Sequence, residues 1–296
     1  MEPVHRSVLV DEVLRYLEPS GQDSVLIDAT LGEGGHSVCF LQQYPSLRVI
    51  GVDADAAMVA RGSDRLAEYG ERVEIVNAWF DEFFQECSIR PDRVLMDLGI
   101  SMYHFARSGR GFSFRADEPL DMRLDACSGE SAADLVNQLD EQALADLIYR
   151  YGEERLSRRI AARIADARVP GPIVTTKELA EIIWRAVPPS YRHGRIHPAT
   201  RTFQALRIAV NGELTRIERA IPLVLDKLAP GGRFAVITFH SLEDRIVKHR
   251  FRDASAEGDY RVLTRKPVVP DEGEVHENPA ARSAKLRVIE RVGEAA

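Results

Sequence analysis

A glycine turn between a strand and a helix, answered one strand later by a carboxylate, constrains this chain more than any other feature. The turn is Asp28-Ala-Thr-Leu-Gly-Glu-Gly-Gly-His36, entered from the apolar run 24–29, and the acid is Asp53, which closes Arg48-Val-Ile-Gly-Val-Asp53. Glycines let the backbone turn sharply and approach a bound group, and an acid about 20 residues further on accepts from ribose hydroxyls. The pattern needs adjacent parallel strands joined by helices, so it predicts an α/β fold. It also points to an enzyme that holds a nucleoside rather than to a scaffold.

The rest of the chain extends this rhythm and then breaks it. Strands are expected at 24–29, 47–53, 73–76 and 93–99, with helices at 37–43 and 56–69. Short apolar strands alternating with helices imply a parallel sheet covered on both faces. From 105 to 196 strand signal fades, and helical segments are expected near 131–138, 140–149, 153–167 and 175–187. Leu144, Leu147, Ile148 and Tyr151 have amphipathic spacing, and Pro170, Pro172, Pro188 and Pro189 punctuate the region. Sheet rhythm resumes with a long helix over 201–228, where Pro222 is a point of kinking or splitting. A fifth central strand follows at 233–239, and 261–265 with 285–291 alternate as an antiparallel closing hairpin. The proline- and acid-rich segment 266–281 predicts a mobile connection. The expected division is a catalytic domain of residues 1–104 and 197–296, and a helical insertion of residues 105–196 that recognises substrate.

Bulk properties narrow the classes. A chain of 296 residues, 45% hydrophobic, can bury one large domain and a smaller one. Three cysteines without motif spacing suit a reducing cytoplasm and argue against a disulfide framework. The N-terminus lacks the apolar core of a signal peptide, and no apolar run is long enough for a membrane span. A net charge of −7 argues against a nonspecific nucleic-acid coater. Residues 192–207 nevertheless hold Arg192, Arg195, Arg201, Arg207 and two histidines with no acid, a local basic surface that the total conceals.

The glycine pattern is Gly-x-Gly-Gly followed by His36, not the three spaced glycines of a dinucleotide site. It suits a ligand with one nucleoside and no pyrophosphate. S-adenosylmethionine is such a ligand, and its sulfonium and amino groups suit an acidic rim of Asp28 and Glu33. Asp53 is assigned to the ribose, with Asp55 the better helix cap. Asp28 serves either ligand or turn, and Phe80 either stacks near adenine or joins the core. Asp97, in Met96-Asp-Leu-Gly-Ile-Ser101, is the main catalytic candidate, with Ser101 in the same loop. It leaves the fourth strand beside the change of strand order, where such sheets place chemistry. An acceptor there takes hydrogen bonds from an exocyclic amine and steers the nitrogen lone pair toward a methyl group, by positioning and electrostatics. No cysteine lies in that loop, which argues against a thiol adduct.

At this point the chain resembles the bacterial RsmH/MraW methyltransferase family. The matching stretches are Val8–Glu12, Asp28–Ser37, Asp97–Ser101, Arg110–Phe114, Pro119–Arg123, Tyr151–Arg155, His197–Arg207, Val210-Asn211, Phe239–Arg245 and Asn278–Arg287, in order over almost the whole chain. The resemblance implies a seven-stranded class I, Rossmann-like methyltransferase sheet with a helical insertion. It implies transfer of a methyl group from S-adenosyl-L-methionine to N4 of a cytidine in the decoding region of 16S ribosomal RNA. It places cofactor contacts at Gly34, Gly35, His36, Asp53, Phe80, Asp97 and His104. The family usually reads Asp-Leu-Gly-Val-Ser-Ser-x-Gln-Leu-Asp in the reaction loop, whereas Met102, His104 and Ala106 stand here at three of those positions.

For the RNA, Arg110, Arg115, Arg195 and Arg201 are expected to meet phosphates, and the target base must leave its stack to react. Phe112, Phe114 and Trp184 suit either base stacking or the core. His240 and Ser241 are candidates for the base pocket, beside a local ion-pair network of Glu243, Asp244 and Arg245. The histidines are too dispersed to predict a metal site. The expected partner is the small ribosomal subunit in the cytoplasm, with a homodimer left open. Two other classes stay open: a DNA or protein methyltransferase, and a weakly catalytic RNA-binding assembly factor.

Overall fold

Apolar, β-branched runs too short for helices become strands, and the amphipathic segments between them become crossovers. In chain order these are α1 (Val10–Tyr16), β1 (Val25–Asp28), α2 (Gly35–Gln43), β2 (Arg48–Asp53), α3 (Ala56–Leu66), β3 (Val73–Asn77), α4 (Phe80–Glu86) and β4 (Arg93–Asp97). A helical stretch follows: α5 (Met102–Ala106), α6 (Ala132–Gln138), α7 (Glu141–Gly152), α8 (Ser157–Ala167), α9 (Thr176–Ala186), α10 (Pro189–Arg192) and α11 (Ala199–Asn211). The chain ends with α12 (Glu213–Lys227), β5 (Arg233–Thr238), α13 (Ser241–Ala256), β6 (Tyr260–Val262), α14 (Glu272–Glu277) and β7 (Lys285–Arg291). The computed structural model describes residues 7–292. Chain contacts group it into two units, one of residues up to Ser101 and from Leu214 onward, the other of Met102–Glu213.

The first unit is a seven-stranded sheet in the order β3-β2-β1-β4-β5-β7-β6. β1 to β5 run parallel, while β7 is antiparallel to both β5 and β6. This is the class I methyltransferase sheet that the resemblance implied, with the helical stretch inserted between β4 and β5. The central strands bury both faces, which is why they read as continuous apolar runs. Val94 and Met96 of β4 join Ile217, Ile221 and Val224 of α12 and Phe251 of α13 on one face. Leu95 points the other way, into a cluster with Leu26, Val49, Phe40 and Leu66. Each fully buried side chain of this size contributes about 1.5–3 kcal/mol, so the sheet is a rigid platform for its strand ends.

The helical unit is built from capped amphipathic helices. Ser131 and Asp134 form a reciprocal capping box on α6, and Asp140 and Thr175 cap α7 and α9. Asn211 closes the unit. Its amide donates to Met122 O at 2.8 Å and Arg207 O at 2.9 Å, and accepts from Leu124 N–H at 2.8 Å.

Two expectations change. The helix expected over 201–228 is two helices, because Gly212 takes a left-handed conformation (φ 59°) that ends α11. α11 packs on α7 and belongs to the helical unit, which therefore spans 102–213 and is wider than residues 105–196. Pro222, by contrast, sits inside α12 without splitting it. The segment 266–281 is not a plain connection: it contains α14, capped by Asp271, and Glu274 Oε1 accepts the Leu9 N–H at 2.7 Å. Among the described residues no helix is long and apolar enough to cross a membrane.

Candidate active site

Four polar residues end four adjacent parallel strands: Asp28 on β1, Asp53 on β2, Asn77 on β3 and Asp97 on β4. They mark the carboxyl edge of the sheet, and strand order reverses between β1 and β4, the crevice where open α/β sheets bind ligands. The glycine loop leaves β1 at this crevice. Gly32 and Gly34 adopt φ values of 54° and 73°, and Gly34 caps α2. That backbone is costly for residues with a Cβ.

Asp53 is tied to the loop through both carboxylate oxygens. Gly32 N–H donates to Oδ2 at 2.8 Å and Asp55 N–H donates to Oδ1 at 2.9 Å. Asp55 caps α3 by accepting the Ala57 N–H, as its position suggested, so Asp53 is not consumed in capping. A carboxylate offers roughly four acceptor directions, enough to hold a loop and a ligand together. Glu33 does not line an acidic rim. It is buried and accepts from Arg61 Nε at 2.6 Å, which pins the glycine loop to α3.

Behind the loop, Asp28 is 2% exposed and accepts the Ser37 hydroxyl at 2.7 Å. Burial pushes the Asp28 carboxyl above the usual carboxylate range. The Ser37 hydrogen bond and His36 oppose this, and the nearby Asp97 adds to it. Asp97 is fixed through its backbone, whose N–H donates to Thr30 Oγ1 at 2.6 Å. His36 Nε2 lies 3.6 Å from Asp97 Oδ2, close enough for attraction but outside hydrogen-bond distance. His36 Nε2 and Asp97 Oδ1 are both buried without a hydrogen-bond partner. Thr30 and Ser37 were missed by sequence reasoning; both lie inside the matched loop, and only the fold shows what they hold.

Phe80 begins α4 with one side packed on the core. Ser101 is half-buried in the loop after β4. His240 plays a structural part. It caps α13, accepting the Glu243 N–H at Nδ1, while Glu243 Oε2 takes the backbone N–H groups of Phe239 and His240. Ser241 is exposed at the first turn of that helix. Asp244 accepts from Arg287 at 2.7 Å and Lys285 at 3.2 Å, so these C-terminal basic residues brace α13.

In the helical unit, His104 is buried on α5, edge-on to Phe112 at 5.2 Å. Arg110 is turned inward and donates to Arg123 O and Leu124 O. Arg201 donates to Glu153 O at 3.2 Å, and Arg207 pairs with both oxygens of Glu213. Arg115 and Arg195 are exposed. His197 is stacked between Phe114 at 4.6 Å and Trp184 at 5.3 Å. Arg192 lies over the ring of Trp184. The basic run thus separates into braces and exposed charges.

A family profile described as the MraW methylase family matches residues 2–292. This chain belongs to the MraW methylase family. It is similar to proteins named ribosomal RNA small subunit methyltransferase H. The one from Treponema denticola is 50% identical and covers 99% of this chain and 98% of that protein. The one from Synechococcus elongatus is 51% identical, covering 97% and 95%. A third, from Leptospira interrogans, is 46% identical, covering 98% and 90%. As an MraW-family chain it is a methyltransferase, and the residues gathered at the strand ends are where its chemistry is to be sought.

Proposed function

We propose that the chain transfers a methyl group from S-adenosyl-L-methionine to the exocyclic N4 of a cytidine in the decoding region of 16S ribosomal RNA. The observation that carries this reading is Asp97: a catalytic-edge carboxylate, fixed by Thr30, with a buried and unpartnered Oδ1 beside the glycine loop. Its relatives are named as small-subunit RNA methyltransferases.

The donor set fits this cofactor. Asp28, Asp53 and Asp97 give the strand ends negative charge, which suits a ligand with a sulfonium and an ammonium group. An unpartnered buried carboxylate oxygen calls for a donor-bearing group. When bound, the cofactor supplies a methyl carbon made electrophilic by a positively charged sulfur. Gly34, Gly35 and the backbone of His36 would cradle it, Asp53 would accept hydrogen bonds from the ribose hydroxyls, and Phe80 would stack on the adenine. His104 occupies the position that matches the remaining family contact.

Asp97 acts on the substrate. Its Oδ1 accepts a hydrogen bond from the cytosine amine, which orients the nitrogen lone pair and concentrates charge on it as the bond forms. Ser101 supplies a second polar group in the same loop. The helical unit is the substrate-recognition domain: Arg115 and Arg195 hold phosphates, with Arg110 and Arg201 shaping the surface from within. His240 and Ser241 line the base pocket, His240 through the backbone that its cap fixes.

The test is methyl transfer from labelled S-adenosyl-L-methionine to small ribosomal subunits lacking the native modification, followed by digestion and mass spectrometry. N4-methylcytidine, lost in Asp97→Ala at near-native melting temperature, is the expected result. Subunit and cofactor binding without transfer favours the assembly-factor reading instead.

A further inference from the structure

Methylating an exocyclic amine leaves a proton to dispose of. The transfer forms an N–C bond and breaks a C–S bond whose electron pair stays on sulfur, and the nitrogen then loses one proton. Asp97 is the first acceptor in reach of that nitrogen under the reading above, on which this inference rests. A proton left on that carboxyl group would remove the acceptor the next amine needs, so it must pass on to another group or to water.

The structure places an imidazole immediately behind that carboxylate. His36 Nε2 is 3.6 Å from Asp97 Oδ2, and Oδ2 is the oxygen opposite the unpartnered Oδ1. His36 is 5% exposed and sits at the first turn of α2, directly after the glycine loop, so its backbone is fixed by the turn. The groups facing it come from two strands: Asp97 at the end of β4, and Asp28 at the end of β1, itself held by Ser37 of α2. A cation formed on the ring therefore lies against Asp97 and within the electrostatic reach of Asp28. His36 Nε2 has no hydrogen-bond partner, and a shift of well under 1 Å brings it within hydrogen-bond distance of Oδ2.

We propose that the side chain of His36 is a positioning and proton-accepting residue for Asp97, distinct from any contact its backbone makes with the cofactor. Asp97 takes the N4 proton at Oδ1; the carboxyl group then rotates about its Cβ–Cγ bond to present that same proton to His36 Nε2, and the O–H bond breaks as the N–H bond forms. The ring becomes an imidazolium beside Asp97, and it returns the proton to solvent after product leaves. The ring also turns the carboxylate so that Oδ1 faces the amine.

His36→Gln keeps a polar group of similar reach but cannot carry the proton. In single-turnover transfer to unmodified small subunits, His36→Gln is expected to lose at least about 10²-fold in rate, the usual scale for a proton-transfer group. Cofactor affinity by calorimetry stays within about threefold, and the acid limb of the wild-type pH–rate profile disappears. A second readout needs no turnover: the 15N chemical shifts of the His36 ring nitrogens in the cofactor-free protein report what faces Nε2. They are expected to differ between the wild type and Asp97→Asn, because the facing carboxylate is gone. Coincident ring shifts overturn the proposal, as does a His36→Gln pH–rate profile that keeps its acid limb. A loss of rate matched by an equal loss of cofactor affinity does so too, since it makes His36 a binding residue only. If the wild type itself transfers no methyl group, the functional reading fails while the ring shifts still test the His36–Asp97 coupling.

Discussion

Replacing Asp53 by alanine separates two roles that fall on one carboxylate. Its oxygens each accept a backbone N–H, from Gly32 and from Asp55. Hydrogen bonds to a charged group contribute about 1.5–3 kcal/mol each. Asp53 and Gly32 are half-buried, so solvent screens part of the interaction, and the pair together is worth about 2–3 kcal/mol. For a unit of this size that lowers the melting temperature by about 5–10 °C. If the same carboxylate also holds both ribose hydroxyls, a further two charge-assisted bonds are lost on binding, about 3–6 kcal/mol, or about 10²–10⁴ in Kd. The control is Arg61→Ala, which releases Glu33 and loosens the same glycine loop without touching the acid. Calorimetry of cofactor binding and thermal unfolding are measured on both variants. Asp53→Ala is expected to lose both stability and at least about a hundredfold in affinity, while Arg61→Ala loses stability with less than about a fivefold change in affinity. Equal affinity losses in the two variants refute the ribose assignment and make Asp53 a loop latch.

Other outcomes follow from the same geometry. Because the Asp28 carboxyl is raised in the folded protein, folding is favoured by its proton. That contribution is complete below the unfolded value of 3.8 and is lost as pH rises through the folded value. Asp28→Asn, which keeps an acceptor for Ser37, should therefore raise the melting temperature at pH 7, with the gain shrinking toward pH 4. Arg115→Ala and Arg195→Ala should each weaken RNA binding and make its salt dependence shallower by about 0.7–0.9 in the log–log slope. Arg110→Ala should leave that slope unchanged and lower stability, since its guanidinium braces the carbonyls of Arg123 and Leu124. Asn211→Ala removes three internal hydrogen bonds and should cost about 2–4 kcal/mol, read as faster limited proteolysis between 110 and 124.

The sheet was legible because its signals are local. Gly32, Gly34 and Asp53 need only a strand, a turn and another strand to acquire meaning, and the apolar runs of β1, β2, β4 and β5 report burial on both faces. Asp55 was readable as a helix cap for the same reason. What the sequence could not show depended on distant partners. Glu33 looks like a ligand acid until Arg61 arrives from α3, and no local signal announces the carbonyls of Arg123 and Leu124 that Arg110 meets. His240 caps α13 through Nδ1, a second role that its neighbourhood in sequence does not announce. Gly212 was overlooked because a continuous helical pattern surrounds it, and its left-handed conformation is what ends α11.

The placement of the helical unit between β4 and β5 also governs how the chain comes into being. β4 pairs with β1 on one side and with β5 on the other. On a ribosome, β1 to β4 are complete while β5 waits for the 135 residues between Asp97 and Arg233, roughly 7–27 s of synthesis. For that interval the half-sheet carries Val94, Leu95 and Met96 on an open edge, the kind of surface on which nascent chains pair wrongly. Slowing or lengthening the insertion thus threatens yield before it threatens activity.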